Sequence, residues 1–111
     1  MPVITRKSTI AGSSFHAGAG NIIMRLRGGE TLWLKREPTN KYDANAIQVG
    51  MFGHVLGYVP RGLAAELAPK MDAGVTLTAT KIPIQGAAIA IQFEEPEPVP
   101  AAEQRFSGLD V

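Results

Sequence analysis

A mainly β fold, a small antiparallel barrel of about six strands with a helical insert, is what three features of this 111-residue chain predict. Short apolar alternations recur along it, 12 glycines and 8 prolines punctuate them, and no strand is followed by a long helical crossover of the kind a parallel sheet needs. The first strand is read over Val3 to Ala11, stopped by Gly12, with a turn or irregular edge at Ser13 and Ser14. Small residues from Ala17 to Gly20 make a loop. From Ile22 to Arg27, Ile22, Met24 and Leu26 alternate with Ile23, Arg25 and Arg27, which predicts a half-buried strand with two cations on its open face. Gly28 and Gly29 then turn it into a hairpin with Thr31 to Lys35, where Leu32 and Leu34 share a face opposite Trp33.

Pro38, Asn40, Asp43 and Asn45 make the polar stretch Glu37 to Asn45 a structured loop. A strand pair follows, Ala46 to Gly50 and His54 to Val59, joined around Met51, Phe52 and Gly53, with Gly57 open to a close backbone approach. Pro60 suits the first helical position, and Leu63, Leu67 and Met71 follow at four-residue intervals as a face for the sheet core. Pro69 removes the bond to Ala65 and crowds its carbonyl, so a kink or division is expected there. Val75 to Ala79 and Ala87 to Phe93 complete the strands around a Pro83 to Gly86 loop. Trp33 and Phe52 are expected in the core or in sheet packing.

Charge divides the chain in two. Residues 1–93 hold ten basic and five acidic side chains, net +5, whereas residues 94–111 hold one arginine and five carboxylates, net −4. A folded domain over residues 1–93 with an acidic, Pro/Glu-rich flexible tail over 94–111 is therefore expected, and its basic body attracts polyanions while the tail competes for the same surface. The chain has no cysteine, which excludes disulfides and thiolate chemistry. It has no apolar run of membrane-spanning length and no signal-peptide pattern at its start, so no membrane association and a cytoplasmic location are expected, nucleoid-associated in a bacterium. His16 and His54 form no metal pair, no HExxH or phosphate-loop motif occurs, and neither a metal, a cofactor nor a catalytic residue is predicted.

Residues 36–47 read REPTNKYDANAI, residues 57–64 read GYVPRGLA, and residues 11–15 read AGSSF. Together, and in this order, these strings resemble the HIRAN domain family over about residues 3–93. The resemblance implies an OB-like or SH3-like barrel that binds single-stranded DNA, especially a free 3′ end, without cleaving it, in company with a helicase or nuclease partner. It also implies that Phe15 and Tyr42 flank a terminal base, that Asp43 engages the end hydroxyl, and that Arg61 contacts phosphate. Three departures stand out: Ser14 replaces an arginine, His16 replaces a second aromatic, and residues 86–88 lack a late aromatic.

Physical chemistry supplies a role for each residue. Aromatic rings at Tyr42 and Phe15 stack with any base, and cations retain the backbone. Asp43 accepts a bond from a terminal hydroxyl, or alternatively closes a turn onto Asn45. Arg36 either forks onto phosphate or pairs with Glu37 or Asp43 to hold the loop. Arg61, at the start of the helix, is well placed for phosphate, Lys41 extends the basic track, and Ser14, His16 and Tyr58 are further contacts. The competing reading is a protein-interaction barrel that recruits a DNA-processing partner, with Phe106 and Leu109 of the tail docking on it.

Overall fold

The computed structural model describes residues 2–95. Its strands are β1 (Val3–Thr9), β2 (Thr31–Arg36), β3 (Ile47–Met51), β4 (His54–Tyr58), β5 (Thr78–Lys81) and β6 (Ala88–Glu94), and its helices are α1 (Ala19–Arg25) and α2 (Arg61–Asp72). The six strands form one sheet in the order β1-β6-β5-β2-β3-β4, every neighbouring pair antiparallel.

The sheet is not closed into the expected barrel. β1 and β4 are its edges, joined by a single bridge beyond β1 in which Ala11 and Tyr58 exchange backbone hydrogen bonds of 2.7 and 2.8 Å. The chain cannot extend this ladder because Gly12 turns away at φ 71° into a 3-10 turn, Ser13–Phe15. Gly57 makes the bridge possible: a Cβ there would lie 2.3 Å from the Ala11 carbonyl oxygen and 2.7 Å from the Ile10 side chain. The close approach expected at this glycine is thus to the end of the first strand.

The segment read as a second strand is helix α1. Its alternation fits either period over so few residues, but Ala19 and Ile23 are buried with Ile22 and Leu26 packed partly against them, the i, i+3, i+4, i+7 stripe of a helix. α1 packs on β4 and the 3-10 turn, so no hairpin joins it to β2. The later helix forms with the expected buried face, but the expected division at Pro69 does not occur. Leu67 is fully buried with Ala64 and Ala68 beside it, Leu63 and Met71 flank them, and the helix passes Pro69 undivided. One lost hydrogen bond there is offset by a well-made end, in which Val75 N donates to Lys70 O and Gly74 N to Met71 O.

Ile47, Val49, Leu56, Leu67, Ile89 and Ile91 have no exposed surface and form the core between α2 and one sheet face. Burial of each such side chain favours folding by about 1.5–3 kcal/mol before ordering costs. Lys81 shares that core because it lies in phase with Ala79, and its ammonium donates to Ile82 O and Ile84 O at 2.6 and 2.7 Å. The expected boundary at residue 93 falls inside β6. Glu94 pairs with Val3, Glu95 N donates to Pro2 O, and Lys70 forms an ion pair with Glu95. The remainder of the acidic segment, including Phe106 and Leu109, lies outside the described residues. No described helix is long and apolar enough to cross a membrane.

Candidate nucleic-acid interface

The segment between β2 and β3 is polar and irregular, yet nearly every turn of it is tied. Asn40 Oδ1 accepts from Tyr42 N at 2.9 Å and Asp43 N at 3.0 Å, while Asn40 Nδ2 donates to Glu37 Oε1 at 3.1 Å. Asp43 Oδ1 accepts from Asn45 N at 2.9 Å, and the ends close through Glu37 N to Ala46 O, also 2.9 Å. These bonds satisfy backbone groups that a six-stranded ladder leaves unpaired. They hold Tyr42 in place with the residue 77% exposed.

Glu37 is the pivot between this loop and the sheet. The Tyr58 hydroxyl donates to Glu37 Oε1 at 2.7 Å and accepts from Gln48 Nε2 at 3.5 Å. Burial, and after it the hydrogen bond to Glu37, push the Tyr58 phenol above the ordinary tyrosine range, so it remains a donor through neutral pH. His16 lies beside Tyr58 with ring centroids 6.0 Å apart, which seats the 3-10 turn against β4.

An open cleft of 430 Å³ lies where these parts meet, walled by Ala11, Tyr42, Asp43, Tyr58, Val59 and Arg61 among others. Arg61 is at the first turn of α2; it donates to Tyr42 O at 3.2 Å, and its Nε stands 3.7 Å from Asp43 Oδ2. Lys41 Nζ lies 5.3 Å from the centre of the Tyr42 ring. One stretch of surface therefore offers an aromatic face, a carboxylate oxygen and two cations.

The expected residues distribute unevenly over it. Tyr42, Asp43, Tyr58 and Arg61 share the cleft; Lys41 is at its rim. Phe15 ends the adjoining 3-10 turn, 87% exposed and outside the cleft walls, with Ser14 exposed beside it. Arg36 is turned elsewhere: its Nε and Nη2 fork onto Asp72 at 2.9 and 3.1 Å, and Nη1 donates to Ala46 O at 2.9 Å. Of its two expected roles it performs loop holding, with Asp72 of α2 as partner in place of Glu37 or Asp43. The Arg36 hydrogen bonds hold the Asp72 carboxyl below its usual range and raise the guanidinium. Asp43 does close the turn onto Asn45, and it does so with one oxygen, leaving the other toward Arg61.

Glu37 and Asn40 are the organising residues; the sequence marks Asn40 only as one of four turn formers and Glu37 only as an alternative partner of Arg36. Asn40 carried a local signal, an Asx acceptor two and three residues before the amides it caps. Glu37 carried none, because its partner Tyr58 is 21 positions away.

Comparison with known proteins decides the family. The HIRAN domain profile matches residues 5–95. The chain belongs to the HIRAN domain family. A helicase-like transcription factor from Oryctolagus cuniculus is 38% identical over 69 residues, 61% of this chain and 6% of that protein. A Fanconi-associated nuclease 1 homolog from Oryza sativa subsp. japonica is also 38% identical over 69 residues, 59% of this chain and 7% of that protein. This HIRAN chain thus matches only a small part of those relatives' length. Among solved structures, a protein from Lactobacillus plantarum superposes with a TM-score of 0.72 at 26% identity, covering 83% of this chain and 95% of that one. The HLTF HIRAN domain in its DNA-bound conformation superposes with a TM-score of 0.56 at 21% identity, covering 80% and 71%.

Proposed function

We propose that this HIRAN protein binds single-stranded DNA in the cleft beside Tyr42, receives a free 3′ end there, and breaks no bond in doing so. The observation that carries the reading is Tyr42 itself, an aromatic residue 77% exposed on a loop whose backbone is already fixed by Asn40. A base stacking on it meets a surface that needs no ordering, which spares much of the usual entropy cost of binding. Phe15, on the neighbouring turn, is the second ring.

Asp43 supports end selection. Its Oδ2 is free of backbone bonds and accepts a hydrogen bond from a terminal hydroxyl, a donor that an internal phosphodiester lacks. Arg61, 3.7 Å away, offsets the repulsion between this carboxylate and the phosphates and, with Lys41, retains the backbone. The DNA-bound conformation of the HLTF domain supports the ligand class, and the helicase-like and nuclease relatives support a role beside enzymes that separate or cut strands.

The test is fluorescence anisotropy with matched strands bearing a free or a blocked 3′ hydroxyl, at several salt concentrations. Blocking is expected to weaken binding, Asp43→Asn to erase the difference, and salt to weaken all strands. Equal affinity for both ends would retire hydroxyl recognition; no binding to any strand would retire the reading altogether and leave recruitment of a protein.

A further inference from the structure

The hairpin of β3 and β4 carries a third exposed ring that the cleft does not use. Met51 pairs with His54, so Phe52 and Gly53 are its two-residue connection. Positive φ in such a connection ordinarily falls to glycine, asparagine or aspartate. Here φ is 51° at Phe52, the one non-glycine with positive φ among the described residues, and the residue is 83% exposed. Expected in the core or the sheet, Phe52 instead sits in a strained backbone that core contact does not repay.

The tip is also braced. Trp33 Nε1 donates to Phe52 O at 2.6 Å, and the indole lies on Gly50, where an added Cβ would stand 1.9 Å from a ring carbon. Strand register joins this tip to the cleft on a single sheet face. Lys35, Gln48 and Tyr58 pair across β2, β3 and β4 in one row; Trp33, Gly50 and Val55 pair in the next. Both rows lie opposite the buried Ile47 and Val49. Tyr58 is a wall of the cleft, Lys35 is an exposed cation, and neither row contains a carboxylate. Glu37, which borders the first row, is already bonded to Tyr58 and Asn40.

We propose that a strand whose end occupies the cleft continues across these two rows, its phosphates held by Lys35, and stacks a further base on Phe52. This rests on the DNA-binding reading of the cleft. Phe52 lies four residues beyond Gln48, one past the end of β3, at most about 13 Å away by strand spacing, so only a strand long enough to cross that distance uses it.

The probes are a trinucleotide and a decanucleotide of thymidine. Phe52→Ala is expected to weaken the decanucleotide about five- to tenfold and leave the trinucleotide unchanged. Phe52→Gly, which relieves the strained φ, gives the same loss together with a higher melting temperature, separating the ring from any folding defect. Lys35→Gln lowers the salt dependence of the decanucleotide alone. The single tryptophan, Trp33, reports directly: the decanucleotide quenches its fluorescence and the trinucleotide does not. Wild-type affinity of both Phe52 variants for the decanucleotide, as would follow if the ring docked in a pocket on a protein, overturns the proposal, as does equal loss for both probes. Tyr42→Ala tells the two readings apart. If it weakens both probes while the Phe52 variants weaken neither, only the tip is wrong; if it weakens neither, cleft and tip fall together.

Discussion

Tyr42 and Phe15 are exposed to nearly the same degree, 77% and 87%, but their supports differ. The Tyr42 loop is fixed from within by Asn40 and Asp43, from the sheet by Glu37 and Tyr58, and from α2 by Arg61. The Phe15 turn has two backbone bonds of 3.1 Å, from Phe15 N to Gly12 O and from His16 N to Ser13 O, with no side-chain cap. On the proposed binding reading, a ring on the first support needs little ordering to meet a base, whereas a ring on the second, held by fewer bonds and by His16 beside Tyr58, needs more. Exposure alone would rank Phe15 first; preorganisation ranks Tyr42 first.

What brings the two supports together is the Ala11–Tyr58 bridge, so the largest effect should come from breaking it. Gly57→Ala places a methyl 2.3 Å from the Ala11 carbonyl oxygen in a residue whose φ is 154°. Steric displacement and backbone strain together should cost about 3 kcal/mol or more of stability, read by denaturant unfolding. If the variant folds with wild-type stability, the bridge does not hold the two regions, and their comparison as parts of one site fails.

Ring removal compares them directly. Tyr42→Ala should lose about 1–3 kcal/mol of single-strand affinity with unchanged stability, whereas Phe15→Ala should lose less, about 1 kcal/mol, because part of its stacking gain goes to ordering the turn. Titration calorimetry checks both. The reverse ranking would place the primary stack on the turn. Smaller again is the loosening of the Tyr42 support: Asn40→Ala removes the acceptor of two amides and should cost about 1 kcal/mol of stability. Its affinity should fall toward that of Phe15→Ala, and Asn40→Asp, which keeps the acceptor but turns a second carboxylate toward Glu37, should recover it only in part. Unaltered affinity in Asn40→Ala would mean that the loop needs no internal bracing.

The strands, the second helix and the polar loop were legible because each depends on neighbours in sequence. Ile47 and Val49 alternate, Leu63, Leu67 and Met71 repeat, and Asn40 sits where an Asx turn needs it. The misreadings arose where distant partners decide. Ile22 to Leu26 fits both periods, and only the β4 surface selects the helix. Phe52 looked apolar enough for a core, but its place at a two-residue connection sends it outward. In the cleft, Tyr42, Asp43 and Arg61 were readable from the joined motifs. The commitment of Arg36 to Asp72 and of Glu37 to Tyr58 was not, since those pairs are 36 and 21 positions apart and no local pattern favours either.

Acid should separate the two supports more gently than any substitution. Asp72 is held below its ordinary carboxyl range chiefly by the Arg36 hydrogen bonds, and Arg36 in turn holds Ala46 O at the end of the Tyr42 loop. Because the folded value is the depressed one, this contribution is complete above the unfolded carboxyl value of about pH 4 and is lost as pH falls through the lower folded value. Glu30 has the same sign, lowered by the amides of Arg27 and Gly28, but it caps the turn before β2 and does not reach the loop. Amide protection factors, which allow for the slower intrinsic exchange at lower pH, should therefore fall at residues 40–46 before residues 12–16 on acidification from neutral pH, since no titrating carboxylate braces residues 12–16. In Asp72→Asn, protection at residues 40–46 should be lower at neutral pH and change less on acidification. Equal acid responses at residues 40–46 in the two proteins would mean that the Arg36 fork does not brace the loop, and the contrast would then rest on Asn40 and Glu37 alone.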